Sequence, residues 1–291
     1  MKAIFKKVDT LRFGRRGVNN YLASAIAVSI SGFVEDDVLH IGEAADDVEE
    51  KLRVVLTLSI NDGVSPLSPA DLKLNFYYES CPNAENFVFD YVKEHIPHAP
   101  TLAAPLLRMH FHDCFVRGCD GSILINSTSK NQAEKAATPN FTLRGFDFID
   151  NIKSLLEEKC PNVVSCADIL ALTARDAVAV IGGPYWTVPT GRRDGLVSNV
   201  TEALNNIPAP NFNFSVLLKS FASRGLDMHD LVLLSALTTT AATKAQILQL
   251  VYGPHEVFFN EFAQSMEKMG KIEVKTGKEG EIRKHCAVVN G

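Results

Sequence analysis

Apolar residues recur at helical spacing through most of the chain after residue 72. In the segment 83–95, for example, Phe87, Val88, Tyr91 and Val92 fall on one side of a helix, with polar residues between them. Strand patterns are sparse, and Pro or Gly signals separate the helical segments. The pattern therefore predicts a mainly α fold, with helices at 83–95, 147–159, 166–180, 214–224, 227–235 and 255–269, and one more that begins after Thr101 and carries Arg108 and His112.

The ends of these helices have local signals of their own. Thr101 is the predicted N-cap of the helix that carries Arg108. Pro105 would lie about one turn inside that helix, where the loss of one N–H is tolerable. Gly225 and Gly270 are the predicted C-terminal stops of the helices 214–224 and 255–269.

Composition narrows the class of protein. The chain has 291 residues, 46% of them hydrophobic, and a net charge of −5. That composition is typical of a folded domain with a sizeable core. There is no basic stripe for nucleic acid and no apolar run of membrane-spanning length, so we expect neither a nucleic-acid nor a membrane partner.

Cysteines and sequons indicate an oxidising compartment. The chain has 6 cysteines, an even number that is compatible with three disulfides. From spacing alone, about fifteen pairings are possible. The N-x-S/T sequons begin at Asn126, Asn140, Asn199 and Asn213.

Residues 1–71 differ in character from the rest. A basic start precedes a weakly apolar run at 21–30 and an acidic stretch at 35–50. A second apolar run at 54–60, followed by Pro and Ser, is typical of the end of a secretory signal, although it is internal. We interpret 1–71 as an atypical extension, in which 54–60 is a candidate signal-peptide remnant. The alternatives are a signal peptide at the basic start of the chain and a poorly ordered extension.

The stretch 104–122 combines three chemical groupings. Arg108 and His112 are four residues apart, so a helix places a guanidinium and an imidazole on one face. The base can take a proton while the cation stabilises developing negative charge. Cys114 and Cys119 follow, together with oxygen donors that suit a hard cation, namely Asp113, Asp120 and Ser122.

This stretch resembles the distal haem signature of the secreted plant peroxidases (class III). The resemblance covers 72–235 and resumes over 236–290. It is supported by F-Y-Y-E-S-C-P-N-A-E at 76–85, R-G-F-D-F-I-D at 144–150, V-S-C-A-D-I-L at 164–170, G-G-P-Y-W at 182–186 and G-R-R-D at 191–194. It implies the haem peroxidase fold, haem b as cofactor, hydrogen peroxide and small phenols as substrates, a monomer, and secretion to the apoplast.

The resemblance also implies roles for single residues. The family residue that matches His112 moves the peroxide proton, and the one that matches Arg108 stabilises charge during O–O cleavage. Asn140 matches the asparagine that accepts a hydrogen bond from the imidazole, and Phe111 matches an aromatic wall of the haem pocket. Pro208 matches a proline whose carbonyl faces the substrate channel in the family. Two alternatives stay open, because Asn140 begins the sequon N-F-T and Pro208 by itself predicts only a turn.

Three further features are implied by the resemblance. Calcium would be held by the side chains of Asp113, Asp120 and Ser122 and the carbonyls of Val116 and Gly118; the alternative is a solvated acidic loop. The disulfides would be Cys81–Cys160, Cys114–Cys119 and Cys166–Cys286. Asp168 and Arg192 would form a structural ion pair. Glu134, near Asn140 in the sequence, matches a family residue that lies behind the distal site.

The chain departs from the family at the proximal side of the haem. The family's iron ligand is the histidine of D-L-V-x-L-S-G-x-H, whereas here D-L-V-L-L-S at 230–235 is followed by Ala-Leu-Thr, so that Thr238 stands at the ligand position. A hydroxyl is a poor iron ligand. Residues 236–291 resemble a later family segment, which indicates an internal deletion that removes most of the proximal domain. His229, His255 and His285 lie at positions that do not indicate iron ligation.

The sequence thus divides into an extension (1–71), a distal domain (72–235) and a C-terminal segment (236–291). Two main functional hypotheses follow from this division. The first is a haem peroxidase. The second is a non-catalytic, calcium-binding glycoprotein that lacks the proximal ligand. A haem-binding module without turnover lies between them.

Overall fold

The computed structural model describes residues 72–209, 211–235 and 254–291, and this part of the chain is mainly helical, as predicted. Its β structure consists of isolated bridges such as that between Lys73 and Thr190. No helix within it is both long and apolar enough to cross a membrane. The helices are α1 Ala84–His95, α2 Ala103–Arg117, α3 Phe146–Lys159, α4 Cys166–Val180, α5 Val200–Asn206, α6 Phe214–Ala222, α7 Met228–Ser235 and α8 His255–Met269.

Three predictions fall outside the described residues. They concern the extension 1–71, the junction after Ser235 and the residue at the expected iron-ligand position, Thr238. The division of the chain at these points stays a prediction.

Most predicted helices have the expected bounds to within two residues, but the predicted N-cap Thr101 is wrong. Pro100 begins a short 3₁₀ turn over Pro100–Leu102, so the chain passes through Thr101 into the helix instead of turning there. Leu102 is the N-cap and α2 begins at Ala103. Pro105 is consequently the third helical residue, where a backbone N–H would have no intrahelical acceptor, so it costs the helix little.

The short helix α5 was not predicted. Asn199 is its N-cap, and the side-chain oxygen accepts hydrogen bonds from the backbone N–H groups of Thr201 and Glu202. Asn199 was noticed as a sequon, yet asparagine is also among the best N-cap residues. The cap signal was present in the sequence and was missed.

Helix α4 is the centre of the fold. Every residue from Cys166 to Val178 is buried, and α4 packs against α1, α2 and α3. The disulfide Cys81–Cys160 joins the start of α1 to the end of α3, while Cys166–Cys286 joins the start of α4 to the C-terminal segment. Both pairings agree with the resemblance.

The C-terminal segment 254–291 packs closely on the distal domain. The fully buried Arg283 donates hydrogen bonds to the carbonyl oxygens of Gly121 (2.6 Å) and Cys286 (2.6 Å). Its guanidinium lies 3.7 Å from the buried Asp194 carboxylate. The expected ion pair is also present: Arg192 lies 2.7 Å from Asp168 and donates to the carbonyl of Gly270, just after α8.

We predict that Arg283→Met lowers the free energy of unfolding by about 3–5 kcal/mol, because it leaves the buried Asp194 carboxylate without a neighbouring positive charge and two buried carbonyls without their donor. Urea unfolding followed by circular dichroism measures this change. The matched control is Lys284→Met, which removes an equal charge from the next, exposed residue. Equal stability of the two variants would show that the buried guanidinium does not hold the segment in place.

Candidate active site

Arg108 and His112 face the same side of α2. The Nε–H of Arg108 donates to Nε2 of His112 over 3.2 Å. His112 is 4% exposed, and Arg108 is half-buried. As the four-residue spacing predicts, the imidazole of His112 and the guanidinium of Arg108 are in direct contact.

Asn140 fixes the orientation and tautomer of the imidazole. Its side-chain oxygen lies 2.6 Å from Nδ1 of His112, and its amide donates to the carbonyl of Glu134 over 2.8 Å. Because that oxygen can only accept, Nδ1 carries the ring proton and Nε2 keeps its lone pair. Burial, followed by the charge of Arg108, lowers the pKa of His112 to about 3, so the ring is neutral at physiological pH.

Two partners of Arg108 were not predicted. Its guanidinium donates to the hydroxyl of Thr142 over 2.6 Å and to the carbonyl of Pro139 over 2.8 Å. Both belong to T-P-N-F-T at 138–142, which also contains Asn140. One short loop therefore holds both members of the pair, and the nearness of Thr142 to Asn140 in sequence was the available signal.

The other expected pocket residues lie as follows. Phe111 is half-buried, with its ring 4.2 Å from that of Phe115 and 5.9 Å from the imidazole of His112. Pro208 is half-buried just after α5, the helix that packs against α2. His110 is buried beside the Cys114 sulfur, away from His112, as its spacing predicts. The roles of Phe111 and Pro208 stay predictions.

The predicted cation ligands converge at the end of α2. Asp113, Asp120 and Ser122 are completely buried. The carboxylate of Asp113 accepts from the backbone N–H groups of Gly121 (2.9 Å) and Ile123 (3.3 Å), which folds the loop around it. A solvated acidic loop, the alternative kept open above, does not describe these buried side chains.

The electrostatics of this cluster favour a bound cation. Three buried oxygens of the cluster have no hydrogen-bond partner of normal geometry, namely the Ser122 hydroxyl, Oδ2 of Asp120 and Oε2 of Glu134. Burial and the neighbouring Asp120 raise the pKa of Asp113 to about 8, and burial and Asp113 raise that of Glu134 to about 9. Buried carboxylate and hydroxyl oxygens that converge in this way are suitable ligands for Ca²⁺.

The loop that closes the cluster has a strict backbone requirement. Cys114 and Cys119 form the third expected disulfide. Gly118 between them has φ of 80°, and a Cβ built there would lie 2.4 Å from the carbonyl oxygen of Glu273. Only glycine fits this close approach. Gly118 and the half-buried Val116 are thus in the loop, as expected of carbonyl ligands, but their coordination stays a prediction.

The described residues suit the distal side of a haem. They offer a neutral base and a cation side by side, with the aromatic ring of Phe111 next to them. Thiolate ligation from the opposite side is excluded, because every cysteine is in a disulfide. His229, on α7, lies 3.4 Å from the carboxylate of Glu261.

The sequons differ in accessibility. Asn126 and Asn213 are exposed, whereas Asn140 is 2% exposed and both ends of its amide are hydrogen-bonded. We predict that folded protein from a glycosylating host carries glycan at Asn126 or Asn213 and none at Asn140. Peptide mass spectrometry after enzymatic deglycosylation in ¹⁸O water measures the occupancy. An occupied Asn140 in folded protein would contradict the geometry of the site.

The lowered pKa of His112 predicts a pH dependence of stability. In the unfolded chain a histidine takes up a proton below pH of about 6.5, but folded His112 does so only near 3. Its contribution is therefore complete above about 6.5 and declines as the pH falls towards 3. His112→Gln should reduce the loss of unfolding free energy between pH 7 and pH 5 by about 2 kcal/mol in the haem-free protein. Urea titrations measure this, with the exposed His98→Gln as control; an unchanged loss in His112→Gln would contradict a buried neutral ring.

Comparisons with known proteins agree with the residues of the site. The peroxidase family model matches residues 86–284. Peroxidase 30 and Peroxidase 39 of Arabidopsis thaliana are each 44% identical over 319 aligned positions, which cover 81% of this chain and 97% and 98% of the relatives. Peroxidase 1 of Oryza sativa subsp. japonica is 38% identical over 323 positions, covering 82% and 99%. These alignments are longer than the 291 residues of the chain, so each relative contains residues without a counterpart here. The chain belongs to the plant peroxidase family, whose members are haem peroxidases.

Proposed function

We propose that this chain binds haem against the His112 face of α2 and reduces hydrogen peroxide at the expense of small phenolic donors. The observation that carries the proposal is the hydrogen-bond chain Arg108–His112–Asn140, which leaves a single basic nitrogen beside a guanidinium. When bound, haem supplies the electrons that reduce the peroxide and recovers them one at a time from two donor molecules.

The chain's own residues handle the proton and the charge. Nδ1 of His112 is committed to Asn140, so Nε2 is the nitrogen that accepts the proton of the bound peroxide. The peroxide would displace the Nε–H of Arg108, which occupies the Nε2 lone pair in this structure. A ring of such low proton affinity then releases this proton readily to the leaving oxygen, which departs as water. Arg108 stabilises the negative charge on the peroxide, and its bonds to Thr142 and Pro139 hold the guanidinium in place.

We further propose that calcium binds to Asp113, Asp120, Ser122 and the carbonyls of Val116 and Gly118. The buried oxygens without partners at Ser122 and Glu134 support this. Asp113 directly follows His112, so a cation there would hold the end of α2 that carries the base. Disulfides and exposed sequons support secretion, and we propose a monomer in the apoplast.

A second candidate function is supported by a specific observation. Thr238 stands at the expected position of the iron ligand, and the relatives contain residues that this chain lacks. A protein without the proximal ligand would keep the cation site and the disulfides but would not turn over. It would be a non-catalytic, calcium-binding glycoprotein.

We expect the full-length chain, expressed in an oxidising host and supplied with haem, to show a Soret band and to oxidise guaiacol with hydrogen peroxide. His112→Leu should lower the rate at least about 100-fold, because the general base is lost, while retaining the Soret band. The exposed His98→Gln is the matched control. A Soret band without oxidation would support the haem-binding module, and the absence of a Soret band would support the non-catalytic glycoprotein.

A further inference from the structure

Lys275, in the C-terminal segment, reaches into the proposed cation site. Its ammonium nitrogen lies 3.0 Å from the Oδ2 atom of Asp120. The Asp120 side chain is completely buried, whereas that of Lys275 is 28% exposed. The other Asp120 carboxylate oxygen accepts the backbone N–H of Ser122 over 3.0 Å. One proposed calcium ligand is therefore paired with a positive charge of the chain itself.

We propose that Lys275 is an internal counter-ion of this site, which stabilises the metal-free form and weakens the binding of calcium. This inference rests on the proposed calcium site. Ammonium and calcium both draw on the negative charge of Asp120, so each reduces the gain from binding the other. The affinity of a calcium site rises with the net negative charge of its ligands, and Lys275 lowers that charge by one.

Other basic side chains near the cluster are committed elsewhere. Arg283 donates to the backbone carbonyls of Gly121 and Cys286, and Arg117 pairs with Glu202 on α5. Lys275, by contrast, contacts a carboxylate of the cluster directly. Lys275 therefore directly lowers the net negative charge of the ligands that would bind a metal ion.

The backbone holds Lys275 at this position. Its carbonyl accepts the N–H of Arg193 over 2.8 Å, in a bridge between the C-terminal segment and the loop before α5. Gly195, two residues on, donates its N–H to the Asp120 carbonyl, and a Cβ on Gly195 would lie 2.2 Å from Oδ2 of Asp120. Fixed backbone thus places the two residues close together, and the Lys275 side chain spans the remaining distance to Asp120.

The Lys275–Asp120 pair should reduce the loss of stability that follows the removal of calcium from the site. With Lys275 in place, removal of calcium leaves Asp120 partly neutralised, so the end of α2 keeps part of its support. Without Lys275, the same removal leaves three buried carboxyl groups, Asp113, Asp120 and Glu134, with no cation in contact. The difference in stability between the calcium-bound and calcium-free forms should then increase.

The test is isothermal titration of full-length protein with calcium after treatment with a chelator. Lys275→Met should bind calcium roughly tenfold more tightly than the unaltered chain, and its calcium-dependent shift in Tm should be larger. Lys275→Arg keeps the charge and should bind within about twofold of the unaltered chain. Lys275→Gln repeats the neutral case if methionine disturbs folding, which near-ultraviolet circular dichroism detects.

The matched control is Lys271→Met. Lys271 pairs with Glu267 one turn away, so its loss changes the net charge equally without touching Asp120. If all forms bind calcium with the same affinity, or if Lys275→Met binds it more weakly, the proposed role of Lys275 is wrong although the calcium site stands. If no form, including the unaltered chain, binds calcium, the site itself is disproved together with the inference.

Discussion

The structure depends on one buried carboxylate, that of Asp194. It accepts backbone N–H groups from Cys166 (3.1 Å) and Ala167 (2.9 Å) at the start of α4, and from Arg283 (2.9 Å) in the C-terminal segment. Burial raises the pKa of Asp194, while the guanidinium of Arg283 and the three N–H donors oppose that shift. The start of a helix favours negative charge, so this position suits a carboxylate. Three distant parts of the chain meet at this single side chain.

The contacts around Asp194 also support the proposed active site. Helix α4 packs against α2, which carries Arg108 and His112, and the same Arg283 donates to Gly121 in the proposed calcium loop. Residues after the predicted deletion therefore support the distal geometry directly. This explains how a peroxidase-family chain that lacks residues present in its relatives can still place base, cation and asparagine together.

Short-range features of the sequence were sufficient to predict most of the helices. The period of apolar residues and the Gly and Pro stops fix helices such as α4 and α8, and the Arg108–His112 pair follows from one turn of helix. The prediction that Thr101 is an N-cap is wrong because Pro100 begins a 3₁₀ turn that includes Thr101. Contacts across long separations, such as Arg108 with Thr142 and Lys275 with Asp120, have no periodic signal, since they arise only when separate segments pack. For Arg108 the proximity of Thr142 to Asn140 in the sequence is a partial signal, whereas nothing in the sequence links Lys275 to Asp120.

The buried sequon at Asn140 would set glycosylation and folding in competition in any compartment that glycosylates the chain. Oligosaccharyl transfer acts on an extended acceptor, whereas the folded loop hides the amide between His112 and Glu134. A sugar attached before the loop closes would leave the imidazole without its partner and would hold the loop away from α2. In a glycosylating compartment, closure of the loop 138–142 before sugar transfer would therefore keep the Asn140 amide available to His112.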